Sequence, residues 1–515
     1  MSPTASISND FGVLPTVSVV ALFAFFGYLI YLAFFHPLAK VPGPKLYAIS
    51  IIPYMYHLRS GKWHRVLKDL HDQYGPVVRI APGDVSFING DAWKIIYGHK
   101  NGAVGNFHKD TRFFPRRIPG KPNILTADES DHKRIRRHLS HAFSEKALRG
   151  QESIMQEYVN LLVRKLSDEV ERGAAVDMVK WYNFTTFDLI GDLAFGEPFG
   201  SLESGGYHPW VAMIFDIVKM TSRLYILKRI PGLISLTPLF IPWKLLKDAQ
   251  HHYELCERTA AKRIETGNTE REDFMSYMLR HNDEKGITTP EILETSKAVI
   301  LAGSETTATL LSGCTYQMLS NRHVYERLVK EIRSTFNSPE EITMSSVANL
   351  EYTAAVLNES LRIYPPVPGG MGRFVPEEGT IIDGYWIPGK TIVAVPHWAS
   401  YHSESNFVDA DSFLPERWLG GDKFARDSRT VFNPFSAGPR NCIGKKYAIM
   451  PSIVGTSTNL SRRSLAYAEM RLILVHLIWR FDMELMADSR DWFQQEIYHL
   501  WQKGKLNVKL THSNH

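Results

Sequence analysis

Three cysteines occur in the chain, Cys256, Cys314 and Cys442. Only the last has neighbours suited to chemistry. It sits in Phe435-Ser-Ala-Gly438-Pro-Arg440-Asn-Cys442-Ile-Gly444, a loop announced by Asn433-Pro434. Gly438 and Gly444 let the backbone fold tightly around the sulfur, so that amide N–H groups can aim at it. Arg440 stands two residues before it. Backbone donors and a nearby cation favour a thiolate. A thiolate can ligate haem iron and push electron density toward O–O cleavage. Cys256 and Cys314 read as small buried hydrophobes.

Two polar constellations precede this loop. Glu359-Ser-Leu-Arg362 is an i, i+3 ion pair, which on a helix surface contributes only a few tenths of a kcal/mol. With Arg417, in Phe413-Leu-Pro-Glu-Arg417-Trp418, it gains a second guanidinium. A buried carboxylate shared by two guanidiniums can satisfy its lone pairs in bidentate fashion. Ala302-Gly303-Ser304-Glu305-Thr306-Thr307 lies inside an apolar helical pattern, Ile292 to Met318. Gly303 costs such a helix about 1 kcal/mol relative to alanine. A glycine kept beside paired polar residues suggests local opening of the helix.

These residues resemble the cytochrome P-450 family, whose haem-binding signature FxxGxRxCxG is matched by Phe435, Gly438, Arg440, Cys442 and Gly444. The family's other motifs follow in order over almost the whole chain. The resemblance implies haem b with Cys442 as axial thiolate and Arg440 on a haem propionate. It implies Glu359, Arg362 and Arg417 as a structural network behind the thiolate loop. It implies Thr306 and Glu305 as the acid–alcohol pair through which protons reach oxygen. In Asp131-His132-Lys-Arg-Ile-Arg136, His132 stands where the family often has tryptophan, and Arg136 where it has arginine; both are implied propionate contacts, as is Arg373 in Gly-Met-Gly-Arg373. Lys133, Arg134, Arg137 and Lys445 form either a basic docking face for an acidic reductase or an ordinary solvated face.

The implied fold is mainly α with a small β region. The implied activity is that of a monooxygenase which hydroxylates or epoxidises a hydrophobic small molecule. NADPH electrons would arrive through a separate NADPH–cytochrome reductase, with cytochrome b5 as a further donor. The text PPVPGGMGRFVPEEGTIIDGYWIPGKT resembles fungal microsomal members that tailor polyketides or terpenoids, the group that includes trichothecene hydroxylases. Two alternatives stand beside this. One is a peroxide-rearranging member that needs no O2, against which Glu305–Thr306 argues. The other is an inactive, haem-deficient protein.

The elements that must carry these residues are legible in outline. The chain has 515 residues, 44% hydrophobic and 22% charged, enough to bury a large core and too apolar for disorder. A net charge of +5 is too mild for a nucleic-acid binder. Three thiols make no disulfide framework, and CxxC and HExxH are absent. Val13–Phe35 is a charge-free apolar run long enough to span a bilayer. Lys40 and Lys45 follow it, which predicts a single-pass anchor in the endoplasmic reticulum membrane with the body in the cytosol. The expected organisation is an anchor over 1–35, a proline-stiffened linker (HPLAKVPGPK), and a haem domain over 36–515. Residues 61–75 read as a helix ending at glycine. Val77–Ile88 read as a hairpin turning at Pro82-Gly83. Residues 128–360 read as helical, and the text after 370 as strands and turns. Leu224–Leu246 is either a surface segment that dips into the bilayer or a buried helix pair.

One stretch departs from the family. Lys446–Ser464 (KYAIMPSIVGTSTNLSRRS) separates Cys442 from a helix that begins at Leu465. Lys-Tyr can be read AAG-TAY, which holds a splice donor, and Ser464 as AGY, which holds an acceptor. Thr458-Asn459 can be read ACT-AAY, a fungal branch point. Splicing would leave Lys445-Asn-Leu465 and a chain of 497 residues. The readings are therefore a translated intron or a genuine surface loop.

Overall fold

The computed structural model describes residues 13–100, 106–113, 121–206, 209–230, 232–236, 243–266, 271, 273–280, 286–445 and 464–514. Helices dominate. Those that matter for the site are α1 (Val13–Ile30), α2 (Trp63–Tyr74), α3 (Glu129–Leu139), α4 (Glu145–Glu171), α5 (Met178–Phe195), α6 (Thr289–Ser320), α7 (Glu351–Ile363) and α8 (Leu465–Arg480). The strands near it are β1 (Val77–Ala81), β2 (Asp84–Phe87), β3 (His108–Lys109), β4 (Arg373–Phe374), β5 (Thr380–Ile382), β6 (Tyr385–Ile387) and β7 (Ile392–Ala394).

The core is built around α5 and α6. Nearly every side chain of α5 is buried, including the polar Asn183, Asp188 and Asp192. α6 starts with a capping box, Thr288 with Glu291, and runs 32 residues, about 48 Å at ~1.5 Å per residue. The helix is continuous through Gly303, so the opening expected there is not present. The glycine has another reason. A Cβ at Gly303 would lie 2.7 Å from Ile190 Cδ1, so it admits α5 at close range. α8 is buried along almost its whole length and packs on α4 and α6. It begins at Leu465, as its sequence predicts.

A five-stranded sheet in the order β1-β2-β7-β4-β3 flanks the helices. β1 and β2 form the hairpin around Pro82-Gly83. β2 runs parallel to β7, and β4 is antiparallel to both β7 and β3. This register puts Lys109 opposite Arg373. A second sheet pairs the C-terminal strand Asn507–His512 with Phe481–Leu485 and Val176–Asp177.

Two boundaries differ from the sequence reading. The apolar N-terminal helix does not end in a free linker: Leu32 and Ala33 are buried against the body. Leu224–Lys228 belongs to the helix Pro209–Lys228, where Tyr225 and Leu227 are buried, as a core helix requires. Farther on, Ile234 and Trp243 are exposed, while 231 and 237–242 lie outside the described residues, as do 446–463.

Candidate functional site

The Cys442 loop is held from three directions. Its own backbone closes through Cys442 N–H donating to the Phe435 carbonyl at 2.9 Å. Gly438 has φ +69, and a Cβ there would overlap the Tyr97 carbonyl oxygen, so only glycine fits. Arg136 reaches from α3 to donate to Asn441 O at 2.7 Å and Asn441 Oδ1 at 2.6 Å. Phe435 packs on Tyr467 of α8, with ring centroids 5.4 Å apart. Gly444 lies 3.6 Å from the sulfur, measured from an ideal Cβ position.

Cys442 is exposed to solvent, yet its sulfur is closely surrounded by the loop. Burial pushes its pKa up. The amides of Gly444 and Lys445, with the charges of Arg136 and Lys445, pull it back down. The cation expected to do this, Arg440, faces elsewhere and donates to Ala127 O at 2.9 Å.

Beside this loop lies a cavity of about 1260 Å³ lined by Lys109, His132, Arg136, Arg373, Arg440 and Lys445 among others. His132 is 5% and Arg373 3% exposed. Burial and the neighbouring Arg440, Lys109, Arg136 and Arg373 push His132 down to about 3. Burial, then Arg373 and Arg440, hold Lys109 well below its usual value, and burial lowers Arg440 to about 10. Cations crowded into one enclosed wall repel each other, an arrangement stabilised by an anion between them. A flat macrocycle with two carboxylates and an iron that accepts a thiolate meets both requirements. The residues present therefore fit haem, with Cys442 as the sulfur ligand and the cation wall for its carboxylates.

A family profile described as Cytochrome P450 matches residues 41–462. The chain belongs to the cytochrome P450 family. Cytochrome P450 monooxygenase astA of Talaromyces wortmannii is 45% identical over 482 residues, covering 93% of each chain. Cytochrome P450 monooxygenase aclL of Aspergillus oryzae is 43% identical, covering 94% of this chain and 96% of its own. Averantin hydroxylase of Dothistroma septosporum is 41% identical, covering 93% of this chain and 88% of its own. The chain is thus a P450 monooxygenase, an oxidoreductase that incorporates one oxygen atom.

In this P450 the acid and alcohol of α6 part company. Thr306 Oγ1 donates to the Ala302 carbonyl one turn back, at 2.7 Å. Glu305 is fully buried and ion-paired with Lys503 at 2.5 Å, while Thr309 donates to it at 3.0 Å. Its second oxygen, Oε2, accepts no hydrogen bond among the described residues. The next hydroxyl, Thr307, donates to Glu469 of α8 at 3.2 Å, and burial pushes that carboxyl up to about 8.

The P450's structural charges meet as expected and recruit one more. Glu359 accepts from Arg362 at 2.7 Å and 2.9 Å, from Arg417 at 3.0 Å and from the Trp418 indole at 2.9 Å. Arg417 also donates to Asp427 at 2.7 Å. All four charged side chains have no solvent exposure. Burial alone would raise Glu359, but the Arg362 and Arg417 charges hold it below its usual value.

Sequence reasoning missed Lys109, Asp427, Glu469 and Lys503, each of which acts across ten or more residues of chain. Arg134 leaves the expected docking face. Its guanidinium is taken by Glu291 at 2.6 Å and Asp131 at 2.8 Å. Burial also lowers Lys445, whose ammonium stands 5.9 Å over the Phe435 ring. Lys133 and Arg137 remain exposed.

Proposed function

We propose that this P450 places one oxygen atom from O2 into an apolar small molecule of fungal secondary metabolism. The observation that carries this is the Cys442 loop beside a cavity whose wall crowds Lys109, Arg136, Arg373 and Arg440 together closely enough to depress one another and the buried His132. Bound haem would supply the oxygen-activating chemistry. The protein's part is to hold and to orient. The Gly444 and Lys445 amides aim at the ligating sulfur, and Arg136 fixes the loop that carries it. Lys109, His132, Arg373 and Arg440 take the haem carboxylates. Thr306 supplies a hydroxyl on α6 whose proton is already directed along the helix. Glu305 is held by Lys503 and passes protons only by turning away from it. Glu359, Arg362 and Arg417, with Asp427, brace the thiolate side.

Electrons come from NADPH through a separate reductase, with cytochrome b5 as a further donor. Lys133 and Arg137 are what remains of the docking face. The apolar helix is compatible with a membrane anchor, and the lysines that follow it favour the endoplasmic reticulum with the body in the cytosol.

The test is the reduced, CO-bound spectrum of full-length protein and of Cys442→Ser. A thiolate-type Soret band in the first and its loss in the second are expected. A band retained in Cys442→Ser would place the sulfur ligand elsewhere.

Residues 446–464 are, in this reading, a translated intron. Ser464 Oγ donates to the Gly444 carbonyl at 2.6 Å, so the flanks of the segment already meet and one asparagine can bridge them. The helix α8 then follows the ligand loop directly. A mature transcript that retains all the extra codons would overturn this and leave a genuine surface loop.

A further inference from the structure

Five oxidisable rings stand in file through the body. Trp398, in the short helix His397–Tyr401, lines a cavity of about 110 Å³ together with Pro368 and Met371. Asp110 lines both this cavity and the larger one beside Cys442, so the file begins next to the haem site. From there the ring centroids are 5.3 Å apart from Trp398 to Trp501 and 4.3 Å from Trp501 to Tyr364. They are 5.4 Å apart from Tyr364 to Trp492 and 5.5 Å from Trp492 to Tyr316 on α6. Each link is an ordinary aromatic contact. The sequence of links is not ordinary. All five rings are indoles or phenols, the side chains that give up one electron most readily after thiols. Phenylalanine would fill a core as well, yet Phe493 only packs alongside. The placement is also enforced: a Cβ at Gly313, in the middle of α6, would overlap the Tyr364 ring.

The hydrogen bonds give the file a direction. Trp501 donates to the Pro365 carbonyl at 2.8 Å, Trp492 to the Gly504 carbonyl at 2.9 Å and Tyr364 to Gln495 Oε1 at 2.7 Å. None of these oxygens is a base that can take the proton away. A ring that has lost an electron here cannot settle by losing a proton, and a positive charge left in the core is costly. Trp398, Trp501, Tyr364 and Trp492 are buried. Tyr316 is only half-buried and lines a surface groove with Arg322 and Lys509. Water can take its phenolic proton, so the electron deficit comes to rest there.

We propose that Trp398, Trp501, Tyr364, Trp492 and Tyr316 form a conduit for single electrons that protects the haem site when turnover yields peroxide instead of product. Two electrons pass inward, one at a time, and with two protons they reduce one hydrogen peroxide to two waters. Each electron leaves Tyr316 as a neutral phenoxyl radical, its proton going to water. A soluble thiol then returns one electron and one proton and restores the phenol. Bound haem is where the peroxide reacts. The inference rests on the haem reading above.

Haem-loaded full-length protein without substrate is mixed with hydrogen peroxide and the spin trap 2-methyl-2-nitrosopropane. Mass spectrometry then locates the trapped residue. The adduct should lie on Tyr316. Trp492→Phe and Trp398→Phe keep a ring in place but interrupt the file at either end. In both, the Tyr316 adduct should fall severalfold and peroxide should bleach the haem severalfold faster. Undiminished labelling of Tyr316 in these variants, or equal labelling of haem-free protein, would mean that peroxide reaches it from solvent and overturns the proposal. So does an unlabelled Tyr316 in protein that shows the thiolate-type CO spectrum. Absence of that spectrum would instead refute the haem reading, and the conduit with it.

Discussion

Replacing Arg417 with methionine isolates the energetics of the buried charge network. The guanidinium is fully enclosed and serves Glu359, Asp427 and the Val408 carbonyl. Without it, Glu359 still has Arg362, Trp418 and the Leu414 amide. Asp427 is left with the Val408 amide at 2.8 Å and the more distant charge of Arg429, with no ion pair in contact. The loss therefore falls mainly on Asp427. Breaking a buried pair on one side costs roughly 3–5 kcal/mol, so the folded-to-unfolded ratio should drop about 10³-fold. Adding Asp427→Asn removes the stranded charge and keeps an acceptor for Val408. The double variant should recover about 1–2 kcal/mol relative to the sum of the two single changes. Urea unfolding of the haem-loaded proteins in one detergent, followed by tryptophan fluorescence, measures this. A loss below ~1 kcal/mol in Arg417→Met, or simple additivity in the double variant, would refute the reasoning.

Thr306→Ala should retain the haem spectrum while product formed per NADPH consumed falls and peroxide rises; unchanged coupling would remove the hydroxyl from proton delivery. Burial pushes Glu469 up to about 8, so between pH ~5 and ~8 the native state keeps a proton that the unfolded chain has lost. Stability from this group thus falls as pH rises through that window, by up to about 1.4 kcal/mol per pH unit, and Glu469→Gln should flatten the decline in urea midpoints. Removing residues 1–30 should release the protein from membranes with its haem spectrum intact. Removing 1–35 also strips Leu32 and Ala33 from the body and takes from Arg79 one of its two acceptors, leaving only the Pro82 carbonyl, so that form should lose several degrees of thermal stability.

How far the sequence could be read depended on chain separation. The Cys442 loop, the start of α8 at Leu465 and the Pro82-Gly83 hairpin are local patterns, and local patterns survive folding. His132, Arg136, Arg373 and Arg440 were also legible, because family motifs mark them, and the structure brings them to one cavity. Lys109 carries no motif. It joins them only because β3 pairs with β4, more than 260 residues away. Lys503 reaches Glu305 from the far end of the chain in the same way. Gly303 shows a different failure. A glycine in a helix is visible in sequence, but Ile190, the side chain that requires it, is not. The reading of Arg134 as a docking residue failed because nothing nearby announces Glu291 as its partner.

The pairing of Asn507–His512 with Val176–Asp177 has a consequence in time. A chain emerges from the ribosome in order, and its early parts fold as they appear. Lys109, His132 and Arg136 are made in the first third, yet Cys442 and its backing helix α8 come near the end. The strand that closes the second sheet, Asn507–His512, is synthesised later still. The cation wall must therefore wait, unfilled and self-repelling, until translation is nearly complete. A nascent protein stopped before Asn507 leaves an open sheet edge for quality control to find.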